Sequence, residues 1–401
     1  MRPIKKLIQL DEALAIVMDK AAPIRRKTTL PLLEVLGRVS AQKVVSRISV
    51  PPFNRAAMDG YAVRARDTFG ASKMNPVVLE RIDTVYAGGV SKKAVVKGGC
   101  VEIATGAMLP KGADAVIMVE DTESAGRRIS MSDSVHPGKN VSRKGEDITP
   151  GTTIVCDGEV LNPSKIGSVA AVGEKSVRVY EKPLIGVVPT GNEIAEVGHP
   201  LRPGQVYNIN SYTLASVIEE NGARARVLPV VNDTVEDVMR VIRENRDCDM
   251  LVFSGGSSVG ERDIMLDVLD KEGEVLFHGI AVKPGKPTLF GTVGDQLVFG
   301  MPGYPTSCLS NAYILLIPAI RRMARLPERV RPLVRAKMSK RVVSATGRTQ
   351  FLTVKLDKGV AHPVFKESGA ITSMAYADGY VVIPADVDIV EKGEEVTVFL
   401  L

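Results

Sequence analysis

The sequence predicts a multidomain protein that combines α+β and α/β architecture. Its centre is an α/β domain with a parallel sheet. A small β-rich second domain, a C-terminal β-barrel-like domain and an N-terminal helical or linker domain accompany it. Three observations predict this arrangement. The chain has 401 residues, more than one ordinary core accommodates. Between 183 and 327, apolar strand runs alternate with amphipathic helical runs, as in a parallel sheet covered on both faces. On either side, short β-rich runs are broken by clusters of Gly, Pro, Ser and Asn.

The elements follow in chain order. Leu10, Leu14, Val17 and Met18 recur at helical spacing, and Pro23 ends that helix. Residues 1–45 join 140–182 in a discontinuous helical or linker domain, in which NPSKIGSVAAVG supplies a short helix. Residues 46–139 form the small β domain, with the runs YAVRA, PVVLERIDTVYA, AVVKGGCVEIA and DAVIMVED. In the α/β domain, 183–327, the strands are PLIGVVPT, ARVLPVV and CDMLVFSGG. Its helices are SYTLASVIEENG, stopped by Gly222, and TVEDVMRVIREN, capped by Thr234. ERDIMLDVLDKEG and a long helix over TSCLSNAYILLIPAIRRMARL complete it. Residues 328–401 return to strands, VRAKMSK, TQFLTVKL, GYVVIPA and EEVTVFLL.

Composition narrows the function classes. No apolar run approaches the ~20 residues of a membrane span, and no secretory leader is visible. A cytoplasmic location and no membrane partner are expected. Cys100, Cys156, Cys248 and Cys308 are far apart, as are the four histidines, so neither a disulfide framework nor a zinc site is expected. The net charge of +6 suits a small anionic ligand. There is no Trp and aromatics are 4%, a poor supply of stacking platforms, so no nucleic-acid partner is expected.

The chemistry lies in loops. PPFNRAAMDGYAV places Asp59 at a bend before a strand, with Gly60 free to take φ > 0. Alone, Asp59 also reads as a residue capping its own turn. In the α/β domain, three strand-end loops carry acids: Glu193 in PTGNEI, Asp233 in NDT, and Glu261 and Asp263 in SGGSSVGERD. Each alone suits a turn or a helix start. Together they make a carboxylate cluster beyond the carboxyl ends of the strands, suited to Mg²⁺. Gly255 and Gly256 let backbone amides approach a ligand. AVKPGKPTLFG holds Lys283 and Lys286 in a stiff Pro-Gly-Pro frame, as positioned cations for an oxyanion. GMPGYPTS, with Pro302 and Pro305, is a second anion nest. No GxxxxGK[ST], GxGxxG or Ser/His pairing occurs.

Taken in order, these stretches resemble the molybdopterin molybdotransferase family, of the MoeA type and similar to the gephyrin E domain. PPFNRAAMDGYAV, ATGAMLPKGADAVIMVED, GKNVSRKGED, PTGNEI, NINSYTL, SGGSSVGERD, AVKPGKPTLFG, GMPGYPTS, GRTQFLTV and ESGAITSMAYADGYVVIP carry the resemblance over nearly the whole chain. It implies insertion of molybdate, or tungstate, into adenylylated molybdopterin with release of AMP and use of Mg²⁺. It implies a homodimer in which Asp59 and Thr105 of one chain meet Glu193, Asp233, Asp263, Lys283, Lys286 and Ser368 of the other. Glu193, Asp233 and Asp263 would hold Mg²⁺ or orient water. Gly255, Gly256, Ser257, Pro302 and Pro305 would shape the nucleotide or pterin pocket, and Arg348 and Ser368 would complete the anion site. A molybdopterin adenylyltransferase is the expected donor, and apo-molybdoenzymes are the expected recipients. The chain departs from the family pattern at Ala56, Asn192, Asn208, Ser257, Gly279, Tyr304 and Thr353. The rival readings are a molybdopterin-binding scaffold and an adenylyltransferase-like enzyme.

Overall fold

The computed structural model describes residues 7–255, 264–364 and 369–401. They fall into two compact units. One contains the chain up to Thr28, Gly37–Val39 and Tyr180–Leu401; the other contains Thr29–Leu36 and Ser40–Val179.

The second unit is built on a six-stranded sheet. Its order is Ala115–Met118, Gly60–Val63, Gly99–Ile103, Val77–Val85, Arg128–Met131 and Thr122–Ala125. Alternation along the strands serves two cores. Tyr61 and Val63 pack with Leu79, Ile117 and Ile129, whereas Ala62 packs with Val101, Ile103 and Val116. A smaller cluster joins Val35 and Val44 to Val155, Leu161, Val169 and Val177. Its helix, Pro163–Ala171, starts where Asn162 Oδ1 accepts from Lys165 N at 2.9 Å, with Pro163 in the first turn.

The first unit holds the α/β sheet, in the order Arg224–Val227, Leu184–Pro189, Met250–Ser254, Gln296–Met301, Leu289–Val293, Glu274–His278. The first four strands are parallel, as expected. The fifth, Leu289–Val293, runs against both its neighbours, so the sheet is mixed, which corrects the all-parallel expectation. The reason is local: Gly294 and Asp295 close a two-residue hairpin between Val293 and Gln296, with Gly294 at φ +60. Helices Leu10–Lys20, Asn210–Glu220 and Pro305–Asn311 pack on one face, through Val17, Leu214 and Cys308. Val235–Glu244 and Ile264–Glu272 cover the other, through Val238, Ile242, Val268 and Leu269. Thus the first helix of the chain packs in the α/β core, with Ala13 and Val17 fully buried there. Thr234 caps its helix as expected, accepting from Asp237 N at 3.1 Å. The long helix is interrupted by one π turn, Ala312–Leu316, between Pro305–Asn311 and Ile317–Met323.

Five strands close the C-terminal barrel: Thr349–Asp357, Val360–Pro363, Leu333–Met338, Glu395–Leu400 and Gly379–Ile383. The sequence reading omitted Val360–Pro363, a strand too short to show alternation. A two-residue strand of the α/β part, Val282–Lys283, adds parallel to Thr349–Asp357. Arg331 further ties barrel to sheet, lying 4.7 Å from the Tyr313 ring centroid and donating to the Tyr380 hydroxyl.

Phe290 and Phe299 are cross-strand partners with ring centroids 4.5 Å apart, and both are fully buried. Phe299→Ala should destabilise this unit by about 3–5 kcal/mol, read as a lower urea midpoint by circular dichroism.

Candidate functional site

In the second unit, the bend over 57–59 delivers Asp59 to an exposed corner. Asp59 Oδ1 accepts from the backbone N of Thr105 at 2.6 Å and from Thr105 Oγ1 at 2.9 Å. The backbone donor first, and the hydroxyl second, hold this carboxyl below the usual carboxylate range. Asp59 is therefore a fixed anion. Gly60 is needed for a different reason from the one expected. It does not have positive φ; it begins the strand Gly60–Val63, and a Cβ there would lie 1.9 Å from the Ile117 carbonyl oxygen. The requirement is close approach of two backbones.

In the first unit, the parallel strands Leu184–Pro189, Met250–Ser254 and Gln296–Met301 all end at one edge. Their loops interlock there. Thr190 N donates to Ser254 O at 3.1 Å, and Gly191 N to Val231 O at 3.3 Å. Gly255, at φ +111, lies under Thr190: a Cβ would fall 2.3 Å from the Thr190 carbonyl oxygen. Gly191, at φ +133, lies beneath the Glu193 carboxylate, where a Cβ would fall 2.7 Å from Oε2. Gly303 comes within 3.6 Å of the Gly255 Cα, measured from the same added atom. Pro302 is buried at the strand end, and Pro305 opens the following helix.

Two of the three expected acids meet at this edge. Asp233 reaches solvent, yet one side is close enough to the sheet end for desolvation to raise its pKa. The Thr190 hydroxyl pulls the value back, and the Glu193 charge adds to the rise. Asp263 lies outside the described residues, as do Gly256, Ser257 and Ser368. Among the described residues, no group of three or more His, Cys, Asp or Glu side chains forms a metal site.

The cations come from the loop that follows Glu274–His278, at the other side of the sheet. Lys283 pairs with Gln350 across the added strand, and Thr349 N donates to Ala281 O at 2.9 Å. This backbone pairing brings Arg348 beside the lysine loop. Lys283, Lys286 and Arg348 are all half-buried. Burial pushes the Cys100 and Cys308 thiols up to about 12, away from nucleophilic use.

Residues 8–173 match the MoeA N-terminal region (domain I and II), 186–322 a probable molybdopterin binding domain, and 335–401 the MoeA C-terminal region (domain IV). The chain belongs to the MoeA family. A Methanocaldococcus jannaschii protein named for molybdopterin biosynthesis is 34% identical over the whole of both chains. Molybdopterin molybdenumtransferase 2 of Mycobacterium tuberculosis is 33% identical over 93% of this chain and 95% of that protein. Among solved structures, a molybdopterin biosynthesis MoeA protein from Pyrococcus horikoshii is 41% identical, with a TM-score of 0.84 over 98% of this chain and 99% of that one.

Several departures from the MoeA pattern have a structural account. Asn208 Oδ1 accepts from Ser211 N at 3.1 Å, a helix-start bond that Asn and Asp serve equally well. Thr353 is buried within the barrel, with no partner for its hydroxyl among the described residues. Tyr304 is 66% exposed beside the Gly255 loop. The sequence reading missed three buried polar residues behind the loops: Thr190, Asn210 and Asn311. Asn210 Nδ2 donates to Gly303 O at 2.8 Å, holding the Pro302–Pro305 turn. The available signal was an amide or hydroxyl inside an apolar element, as in CLSNAYILL.

A titration tests the Asp59 corner. The stabilisation from its lowered pKa is present above the ordinary carboxylate pKa and is lost as pH falls through the folded value. In Thr105→Val the hydroxyl donor goes and the backbone N–H stays. The Asp59 carboxyl should then titrate closer to its ordinary range without reaching it, as read by ¹³C NMR of Asp-labelled protein.

Proposed function

We propose that this protein inserts molybdate into adenylylated molybdopterin, releasing AMP, as a Mg²⁺-dependent transferase of molybdenum cofactor biosynthesis. The observation that carries the reading is that the Glu193–Asp233 pair and the loop of Lys283 and Lys286, with Arg348 beside it, lie at the same end of the sheet. Opposite charges carried on loops at the same end of one sheet suit a substrate that is both a phosphoanhydride and an oxyanion acceptor. A scaffold for pterin binding alone would not need the acidic half.

Two carboxylates of like charge, one of them partly desolvated, fit a hard divalent cation. Glu193 and Asp233 would hold Mg²⁺, joined by Asp263, and the ion would supply charge neutralisation at phosphate oxygens. The protein's own residues do the rest. Lys283 and Lys286 offset negative charge on the leaving phosphate and on molybdate. An Asp233 oxygen not engaged by Mg²⁺ would take the proton of a water whose oxygen attacks phosphorus as the phosphoanhydride bond breaks. Tungstate has the charge and shape of molybdate and would enter the same site.

The reading includes a homodimer, with Asp59 and Thr105 of one chain completing the partner's site. Among the described residues no helix is long and apolar enough to cross a membrane, in keeping with the proposed cytoplasmic location. A molybdopterin adenylyltransferase is the proposed donor, and apo-molybdoenzymes are the proposed recipients.

AMP release from adenylylated molybdopterin tests the reaction. It should require molybdate or tungstate and should fall roughly 100-fold when Mg²⁺ is chelated. Release without an oxyanion, or none at all, would overturn the assignment. Complementation tests the shared site. Asp59→Ala and Lys286→Ala should each lower AMP release roughly 100-fold. Co-expressed, they should regain roughly a quarter of wild-type activity, because half the dimers are mixed and each has one intact site. No recovery would place both residues in the same chain's site.

A further inference from the structure

Asn311 is fully buried, in the last turn of the helix Pro305–Asn311, directly under the lysine loop. Its Nδ2 donates to Gly285 O at 2.8 Å and to Thr288 Oγ1 at 2.5 Å. Thr288 Oγ1 in turn donates to Gly285 O at 3.0 Å, so one carbonyl accepts twice. Asn311 Oδ1 has no partner among the described residues. An amide buried with its acceptor idle is kept for its donors. The fit around it is close: Gly285 has φ +105, and a Cβ there would lie 2.4 Å from the Asn311 amide. The helix leaves α geometry at the next residue, in the π turn Ala312–Leu316.

The direction of the Gly285 carbonyl has a consequence on the other side of its peptide. In a trans peptide the C=O and the next N–H are antiparallel. Drawing Gly285 O down onto Asn311 therefore turns the Lys286 N–H away from the core. That N–H donates to no acceptor among the described residues.

We propose that Asn311 is a positioning residue of the oxyanion cleft. It locks the Gly285–Lys286 peptide so that the Lys286 N–H and the Lys283 and Lys286 side chains face one bound oxyanion. The proposal rests on the reading that this cleft takes an oxyanion. It adds the buried residue on which the cations' placement depends.

Inorganic pyrophosphate is the probe, with affinity measured by calorimetry and loop opening by amide hydrogen exchange. In Asn311→Ala and in Gly285→Ala, which remove the same bond from opposite sides, pyrophosphate should bind about tenfold more weakly. Exchange should quicken at Ile280 and Thr288, whose N–H groups both donate to Lys286 O, and stay unchanged elsewhere. The loss caused by Lys286→Ala should shrink in the Asn311→Ala background, because the lysine is already misplaced there. Unchanged affinity in both variants, fully additive losses, or a wild type that does not bind pyrophosphate would each overturn the proposal. If Asn311→Ala quickens exchange throughout the unit, Gly285→Ala decides alone. AMP release by the wild type is measured separately. Asn311-dependent pyrophosphate binding without AMP release would sink the transferase reading and leave this one standing.

Discussion

The contact between the Thr190 carbonyl and the Cα of Gly255 is the constraint on which the cleft depends. Parallel strands end at the same edge, so their following loops compete for one space. A side chain at 255 would occupy the position of the Thr190 oxygen. With glycine there, the first and third loops nest, and the fourth can approach through Gly303. Glu193 then folds back over Gly191, and Asp233 comes within range of its charge. The acidic half of the site thus follows from backbone packing.

The basic half is built by another principle. Its loop is tied from below by Asn311 and laterally by the strand Val282–Lys283, which the barrel adopts as its neighbour. Arg348 arrives by the same pairing, from sequence 62 to 65 positions away from Lys283 and Lys286 (348 − 286 = 62; 348 − 283 = 65).

Much of this was legible in local signals. Thr234, Gly222 and the Asn162-Pro163 pair mark helix ends through bonds made within a few residues, and each marked its helix correctly. The rhythm of strand and helix located the sheet edge, and with it the loops of Glu193, Asp233 and Gly255. What escaped depends on distant partners. Gly60 serves Ile117, and Asn311 serves Gly285; neither partner is marked in the sequence beside them. The reversed strand Leu289–Val293 was missed because Gly294-Asp295 was not read as a hairpin turn. Asp59 and Thr105 were assigned together by resemblance, and their hydrogen bonds supply the physical reason.

On one flank of Thr349–Asp357 the closed barrel takes up Val282–Lys283, at Thr349 and Gln350. Side chains on a strand face alternate sides. Sliding that seam by a single residue would invert Lys283, sending its ammonium to the opposite side with no change in composition. The length of the connection over 344–347 therefore acts as a gauge for the charge of a cleft that Arg348, the residue after it, enters. Insertions and deletions there carry a functional meaning that a surface turn elsewhere on the barrel would lack.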